Sequence, residues 1–255
     1  MVSESAQRRV DMHTKLLNER VVSRAKQRDI DVLVYAPHFT RLPTIRETAA
    51  RYSDDDLLVV PAREVFTGDW KNRRHLLAIG LSEPVADFIS FEGALAEFER
   101  QEAAVLAPHP SFMNVSLTHP EIRAHAARID AVETYNAKLL SHQNRRGQRI
   151  AAELDLAGFG SSYAHLAGTV GEAWTRVDAA IDSEADLVAA LTGDVSCQAV
   201  HRAGSGHRLR QLAEFAHLGY ENTWEKVDRL LLSGDEPTHP RNIVYEGRFD
   251  AVSVY

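Results

Sequence analysis

The strongest constraint on the fold of this chain is an alternation along its length. Short apolar runs rich in β-branched residues alternate with longer amphipathic stretches, the pattern of βα units that build a parallel sheet. The fold class is therefore α/β. Strands are expected at residues 9–14, 31–37, 57–66, 75–81, 104–108, 131–136, 157–162 and 174–178, with helices at 16–27, 44–52, 92–101, 120–127, 142–154 and 183–191. The third and fourth strands are joined by TGDWKNRR and not by a helix, which predicts a hairpin at that rim. Elsewhere the βα unit repeats about seven times, which suits a closed barrel better than an open doubly wound sheet.

After Gly193 the rhythm breaks. The segment GDVSCQAVHRAGSGHRLRQ leads into a helix through Phe215 and Leu218, followed by ENTWEKVDRLLLSG and a closing loop. The sequence thus divides into a barrel over residues 1–195 and an appendage over 196–255 that packs on it.

Composition narrows the class. A chain of 255 residues, 44% of them hydrophobic, buries one substantial core without disulfides, and the single Cys197 has no internal partner. The N-terminus, MVSESAQRRV, lacks the apolar run of a signal peptide, so a reducing cytoplasm is expected. No run approaches the ~20 apolar residues that cross a bilayer. A formal charge of −7 argues against broad, sequence-independent nucleic-acid binding, which needs a positive surface to displace counterions.

The chemistry lies at the strand ends. In parallel barrels, reactive side chains gather where the C-terminal ends of strands meet open loops. Asp11 and His13 close the first strand one residue apart, so two-residue alternation predicts that both face the same side. His38 ends VLVYAPH, Glu64 lies in VVPARE, His75 opens HLLAIGL, and His109 ends VLAPHP. Glu133 and Asn136 lie in AVETYN, and Tyr163 and His165 follow GFGSS. Each alone is more simply a packing or rim residue, but recurrence at successive strand ends points to a metal cluster. His119, His125, His142, His217 and His239 lack this register and are read as surface or structural residues.

From about residue 9 to residue 177, these motifs resemble, in order, those of the polymerase and histidinol phosphatase (PHP) family. VDMHT is similar to its Leu-His-x-His-Thr, DIDVLVYAPH to its Gly-x-Asp-hydrophobic-Thr-Asp-His, and LLVVPAREV to its Pro-Gly-x-Glu strand. HLLAIGL, VLAPHPSF, IDAVETYNAKL and GSSYAHLAGTVGEAWTRV follow the family's later motifs. The resemblance implies a distorted (β/α)7 TIM-like barrel holding one to three divalent ions, zinc, iron or manganese. It implies one site at Asp11, His13, Glu64 and Tyr163, a second at Glu64, His75 and His109, and a third at His38 and His165. The sequence departs from the family at Asp11 and Tyr163, where a histidine and an aspartate are expected, and at Pro37, which stands for an aspartate. A tyrosine ligand would favour iron over zinc.

The function the resemblance implies is metal-dependent hydrolysis of a small-molecule or nucleotide phosphoester. Arg41, Arg63 and Lys138 are candidate phosphate-binding residues, and His38 or His165 a candidate general acid. The alternative is a binding or assembly barrel with a reduced metal site, since lost carboxylates are what drift away from hydrolysis leaves behind.

Overall fold

The computed structural model describes residues 7–38, 40–68, 72–112, 115–220 and 223. Their strands are β1 (Arg8–Thr14), β2 (Val32–Tyr35), β3 (Leu58–Thr67), β4 (Arg74–Ile79), β5 (Ala104–Ala107), β6 (Ala131–Asn136), β7 (Ala157–Ser161), β8 (Ala173–Val177) and β9 (Cys197–His201). The helices are α1 (Glu19–Lys26), α2 (Leu42–Tyr52), α3 (Phe91–Arg100), α4 (His119–Ala124), α5 (Ser141–Leu154), α6 (Glu184–Thr192) and α7 (Ser205–Tyr220). Apart from Thr223, the segment ENTWEKVDRLLLSG and the loop after it lie outside the described residues.

All strands join one sheet in the order β7-β6-β5-β4-β3-β2-β1-β8-β9. β1, β2 and β3 run parallel, β4 is antiparallel to both β3 and β5, and β5, β6 and β7 are parallel again. The expected hairpin is present, with Phe66 opposite His75. β8 lies antiparallel to β1, and β9 antiparallel to β8; β9 is a strand that the sequence reading does not anticipate.

The sheet curls until it nearly closes. Just past β7, Ala164 pairs in parallel with Thr14, and its carbonyl accepts the N–H of Lys15 at 3.0 Å. On the other side of β7, the Thr175 hydroxyl accepts from the Gly160 N–H at 2.9 Å and donates to the Gly160 carbonyl at 3.0 Å. The α/β barrel expected from the alternation is thus the observed architecture.

Alternation along the strands sets the two sides of the wall. Val60 and Ala62 of β3, Leu77 and Ile79 of β4, and Leu106 of β5 meet Phe159 in the inner core, which α6 closes with Leu187 and Leu191. Val65, Leu76, Ala78 and Val105 turn outward against α3, α4 and α5 through Leu95, Phe98, Ile122 and Ile150. Gly147 lets α5 approach β6: a Cβ there would overlap the Glu133 carbonyl oxygen.

Candidate metal centre

Glu64 is the hub of the strand-end cluster. It keeps the phase of Val60 and Ala62 along β3, so alternation carries its side chain inside the wall, where it is fully buried. Its oxygen Oε1 lies 3.1 Å from His75 Nδ1 and 3.0 Å from His109 Nε2. The other oxygen, Oε2, contacts His38 Nε2 and the Lys15 ammonium, with His13 Nε2 at 3.8 Å. Among the described residues, His38, Glu64 and His75 form a set whose ligand atoms all lie within 4.8 Å of one another.

Local structure explains each placement. His75 faces the cluster because β4 runs backwards from the rim, so its first residues, and not its last, stand beside Glu64. His109 follows β5 at a positive φ of 34°, a conformation that non-glycine residues avoid unless the surroundings enforce it. The enforcing group is the buried carboxylate of Glu133. It accepts the His109 N–H at 2.6 Å, the Asn136 side-chain amide at 3.0 Å and the Ser161 hydroxyl.

The imidazole of His109 is oriented as well. The Ser116 hydroxyl donates its one hydrogen to the Phe112 carbonyl, so its oxygen accepts from His109 Nδ1 at 2.7 Å. In a neutral ring, Nε2 then presents a lone pair to Glu64 Oε1. Two acceptors 3.0 Å apart require a cation between them, either a proton or a metal ion. His75 Nε2 and both ring nitrogens of His13 are buried with no hydrogen-bond partner among the described residues. Orphaned imidazoles around a buried carboxylate are what a metal site looks like from its ligands, since unpaired buried polar atoms otherwise cost about 1–3 kcal/mol each. The residues present fit a divalent ion.

Electrostatics agree with that chemistry. Burial would raise the Glu64 carboxyl, but the Lys15 ammonium beside it holds it well below the usual carboxylate range. Burial, and then the Lys15 charge, depresses His13 well below its ordinary value and His38 to about 3; burial also depresses His75. An anionic carboxylate among neutral imidazoles is the protonation state that binds metal.

The remaining sequence candidates divide. Asp11 is fully buried but does not share a side with His13, because β1 gains an extra residue between Asp11 and Thr14 against β2. The expected two-residue alternation fails there, and the Asp11 oxygens accept the N–H groups of Ser162 at 2.8 Å and Gly171 at 2.9 Å. Burial pushes its carboxyl up to about 6 against those hydrogen bonds. Tyr163, at a φ of 47°, places its ring in the cluster, centred 4.7 Å from the His13 ring and 5.1 Å from that of His109. His165 Nδ1 lies 2.7 Å from Lys138 Nζ and 2.9 Å from the Tyr163 carbonyl oxygen, so one ring nitrogen faces both a donor and an acceptor. The Lys138 Nζ also lies 4.8 Å from the Tyr163 ring centre.

The candidate phosphate-binding arginines lie elsewhere. Arg63 has the opposite phase to Glu64, is buried, and directs its guanidinium to the Thr40 carbonyl at 2.5 Å and to Asp87 at 2.8 Å. Arg41 is exposed at the start of α2. The residue that sequence reasoning missed is Lys15, whose side chain is 7% exposed and whose Nζ meets Glu64 and, at 2.7 Å, the Ala36 carbonyl. Its signal was present: Lys15 lies two residues beyond His13, the spacing that returns an extended chain to one side. A second unanticipated carboxylate, Glu214 of α7, accepts the N–H groups of His165 at 3.0 Å and Leu166 at 2.9 Å, pinning α7 to this rim.

Comparison with known proteins agrees with this geometry. Residues 141–194 match the family model described as PHP-associated. No curated protein matches the chain. Among solved structures, PsfC from Pseudomonas syringae superposes with a TM-score of 0.66 at 17% identity, covering 83% of this chain and 99% of that one. A two-domain protein from Bacteroides vulgatus containing a predicted PHP-like metal-dependent phosphoesterase gives 0.58 at 17% identity, covering 83% and 71%. The lesion-specific endonuclease EndoQ from Pyrococcus furiosus gives 0.55 at 14% identity, covering 75% and 57%. By its nearly closed barrel and its likeness to these structures, the chain has a PHP-type fold, and residues 141–194 match the PHP-associated model.

Proposed function

We propose that this protein is a metal-dependent phosphoesterase acting on a small-molecule or nucleotide phosphoester. The observation that carries the reading is the facing of His109 Nε2 and Glu64 Oε1 at 3.0 Å, with the Ser116 contact directing the imidazole lone pair at the carboxylate. Glu64, His75 and His109, joined by His38, would hold the ion, and this mixture of imidazole and carboxylate suits zinc, iron or manganese. A divalent ion bound there would polarise a phosphoryl oxygen and bring the pKa of a bound water towards neutrality.

The chain's own residues supply the rest. His38, with a side chain 31% exposed, and His165, half-buried, form the side of the cluster that substrate reaches. Lys15 and Lys138 flank the Tyr163 ring, at 5.7 Å and 4.8 Å from its centre, and their ammonium groups would attract phosphate oxygens. His38 or His165 would serve as the general acid that protonates a leaving alkoxide. Arg63 is committed to Asp87, so in this reading Lys138, and not Arg63, is the phosphate-binding residue. The net charge of −7 favours a small substrate over a long nucleic acid.

The test is hydrolysis of p-nitrophenyl phosphate and bis-p-nitrophenyl phosphate by purified protein, before and after chelation, with zinc, manganese or ferrous iron restored separately. Turnover that chelation abolishes and one of these ions restores supports the reading. Absence of turnover with every ion would favour the binding or assembly barrel.

A further inference from the structure

We infer that the Lys15 ammonium takes the place of a second metal ion in this cluster, making the centre mononuclear with a cation built into the chain. The inference rests on the metal-centre reading above and concerns the opposite oxygen of the same carboxylate. Glu64 Oε1 faces His75 and His109; Oε2 faces His38, Lys15 and, at 3.8 Å, His13. The Lys15 Nζ contacts Oε2 directly and donates to the Ala36 carbonyl at 2.7 Å, so two acceptors fix it.

Three observations make this position the place of a missing ion. His13 is fully buried with neither ring nitrogen hydrogen-bonded among the described residues, and its Nε2 faces the Glu64 oxygen that Lys15 holds, outside the group formed by His38, Glu64 and His75. Asp11 has both oxygens committed to backbone N–H groups and Glu133 is held by the His109 N–H, Asn136 and Ser161, so Glu64 is the carboxylate whose oxygens face the imidazoles and the lysine. Two divalent ions against one carboxylate would leave a large uncompensated positive charge in a buried site, whereas one ion and one ammonium leave far less. Lysine is suited to the role because its compact charge sits on a flexible stem that apolar walls can bury.

Cobalt titration of metal-stripped protein, followed by visible absorption and equilibrium dialysis, tests this directly. The wild type should saturate at one equivalent and lose it in His75→Ala. Lys15→Gln and Lys15→Met should each bind a second equivalent, and adding His13→Ala should remove that second equivalent while leaving the first. Two equivalents in the wild type would overturn the inference whatever the variants do. One equivalent in the wild type and in both folded Lys15 variants would overturn it while leaving the metal centre standing. Wild type without cobalt would sink the metal-centre reading and the inference with it.

Discussion

The backbone N–H of His109 donates to the carboxylate of Glu133 at 2.6 Å, so a residue on β6 holds the main chain of a candidate ligand at the end of β5. Glu133 also accepts from Asn136 and Ser161, and burial raises its carboxyl above the usual range. Glu133→Ala strands these donors. It should cost about 1–3 kcal/mol of stability for the unsatisfied groups and weaken metal binding about 10- to 100-fold, the usual effect of losing a residue that supports a ligand. Urea denaturation and metal titration check the two effects separately. Unchanged metal affinity would mean that His109 keeps its place without this anchor.

Arg63 and Asp87 form a buried ion pair at 2.8 Å beneath the rim. Removing one partner leaves the other charge unpaired, which typically costs about 3–5 kcal/mol. Arg63→Met should therefore lower the urea midpoint sharply. In the fraction that remains folded, KM for a phosphoester should stay near the wild-type value. A variant with normal stability and a raised KM would instead make Arg63 a phosphate ligand.

Acid should destabilise the metal-free protein. Burial, and then Lys15, hold His13 well below its ordinary value, and His38 is lowered to about 3, whereas in the unfolded chain both titrate near 6.5. Below pH 6.5 the unfolded state binds more protons, so this stability is fully present above that pH and is lost as pH falls. Asp11 opposes the trend: raised from 3.8 to about 6, it favours the folded state less as pH rises through that window. The depressed histidines and the lowered Glu64 carboxyl outweigh the raised carboxyls of Asp11 and Glu133. The urea midpoint of chelated protein should fall between pH 7 and pH 4, and less steeply in His13→Asn. A midpoint independent of pH across that range would contradict the burial of neutral imidazoles.

Gly147 offers a test of packing apart from the metal. Alanine there gains about 1 kcal/mol of helix propensity, but its Cβ would overlap the Glu133 carbonyl oxygen and reach Pro110 at 3.4 Å. Backbone cannot yield as a side-chain tip does, so the steric cost should win. Gly147→Ala should lower the melting temperature, with a net loss of about 1–3 kcal/mol. A rise in melting temperature would show that α5 has room to move away from β6.

The barrel was legible because its signals are local. Periodicity marks β1 to β8 to within a few residues, and TGDWKNRR replaces a helix where β3 turns back into β4. β9 escaped because QAVH is short and lies in a segment without βα rhythm. Strand ends announced His13, His38, Glu64, His75 and His109, whose rings gather around the Glu64 carboxylate. Asp11 misled because the extra residue in β1 breaks the phase, and a bulge leaves no trace in hydropathy. Arg63 misled because a charged residue beside Glu64 says nothing of Asp87, which lies far along the chain and becomes its partner only through the fold. Lys15 carried the right spacing but reads as the first residue of a loop.

The central claim is that Glu64 organises a metal ion with His75 and His109. Elemental analysis of wild-type and Glu64→Gln protein, purified side by side without added metal, tests it most directly. Glutamine keeps the size of the side chain and removes the charge that collects the imidazoles. The wild type should carry about one equivalent of zinc, iron or manganese, and Glu64→Gln should carry almost none while retaining its fold by circular dichroism. Equal metal content in the two proteins, or wild type free of metal, would contradict the account.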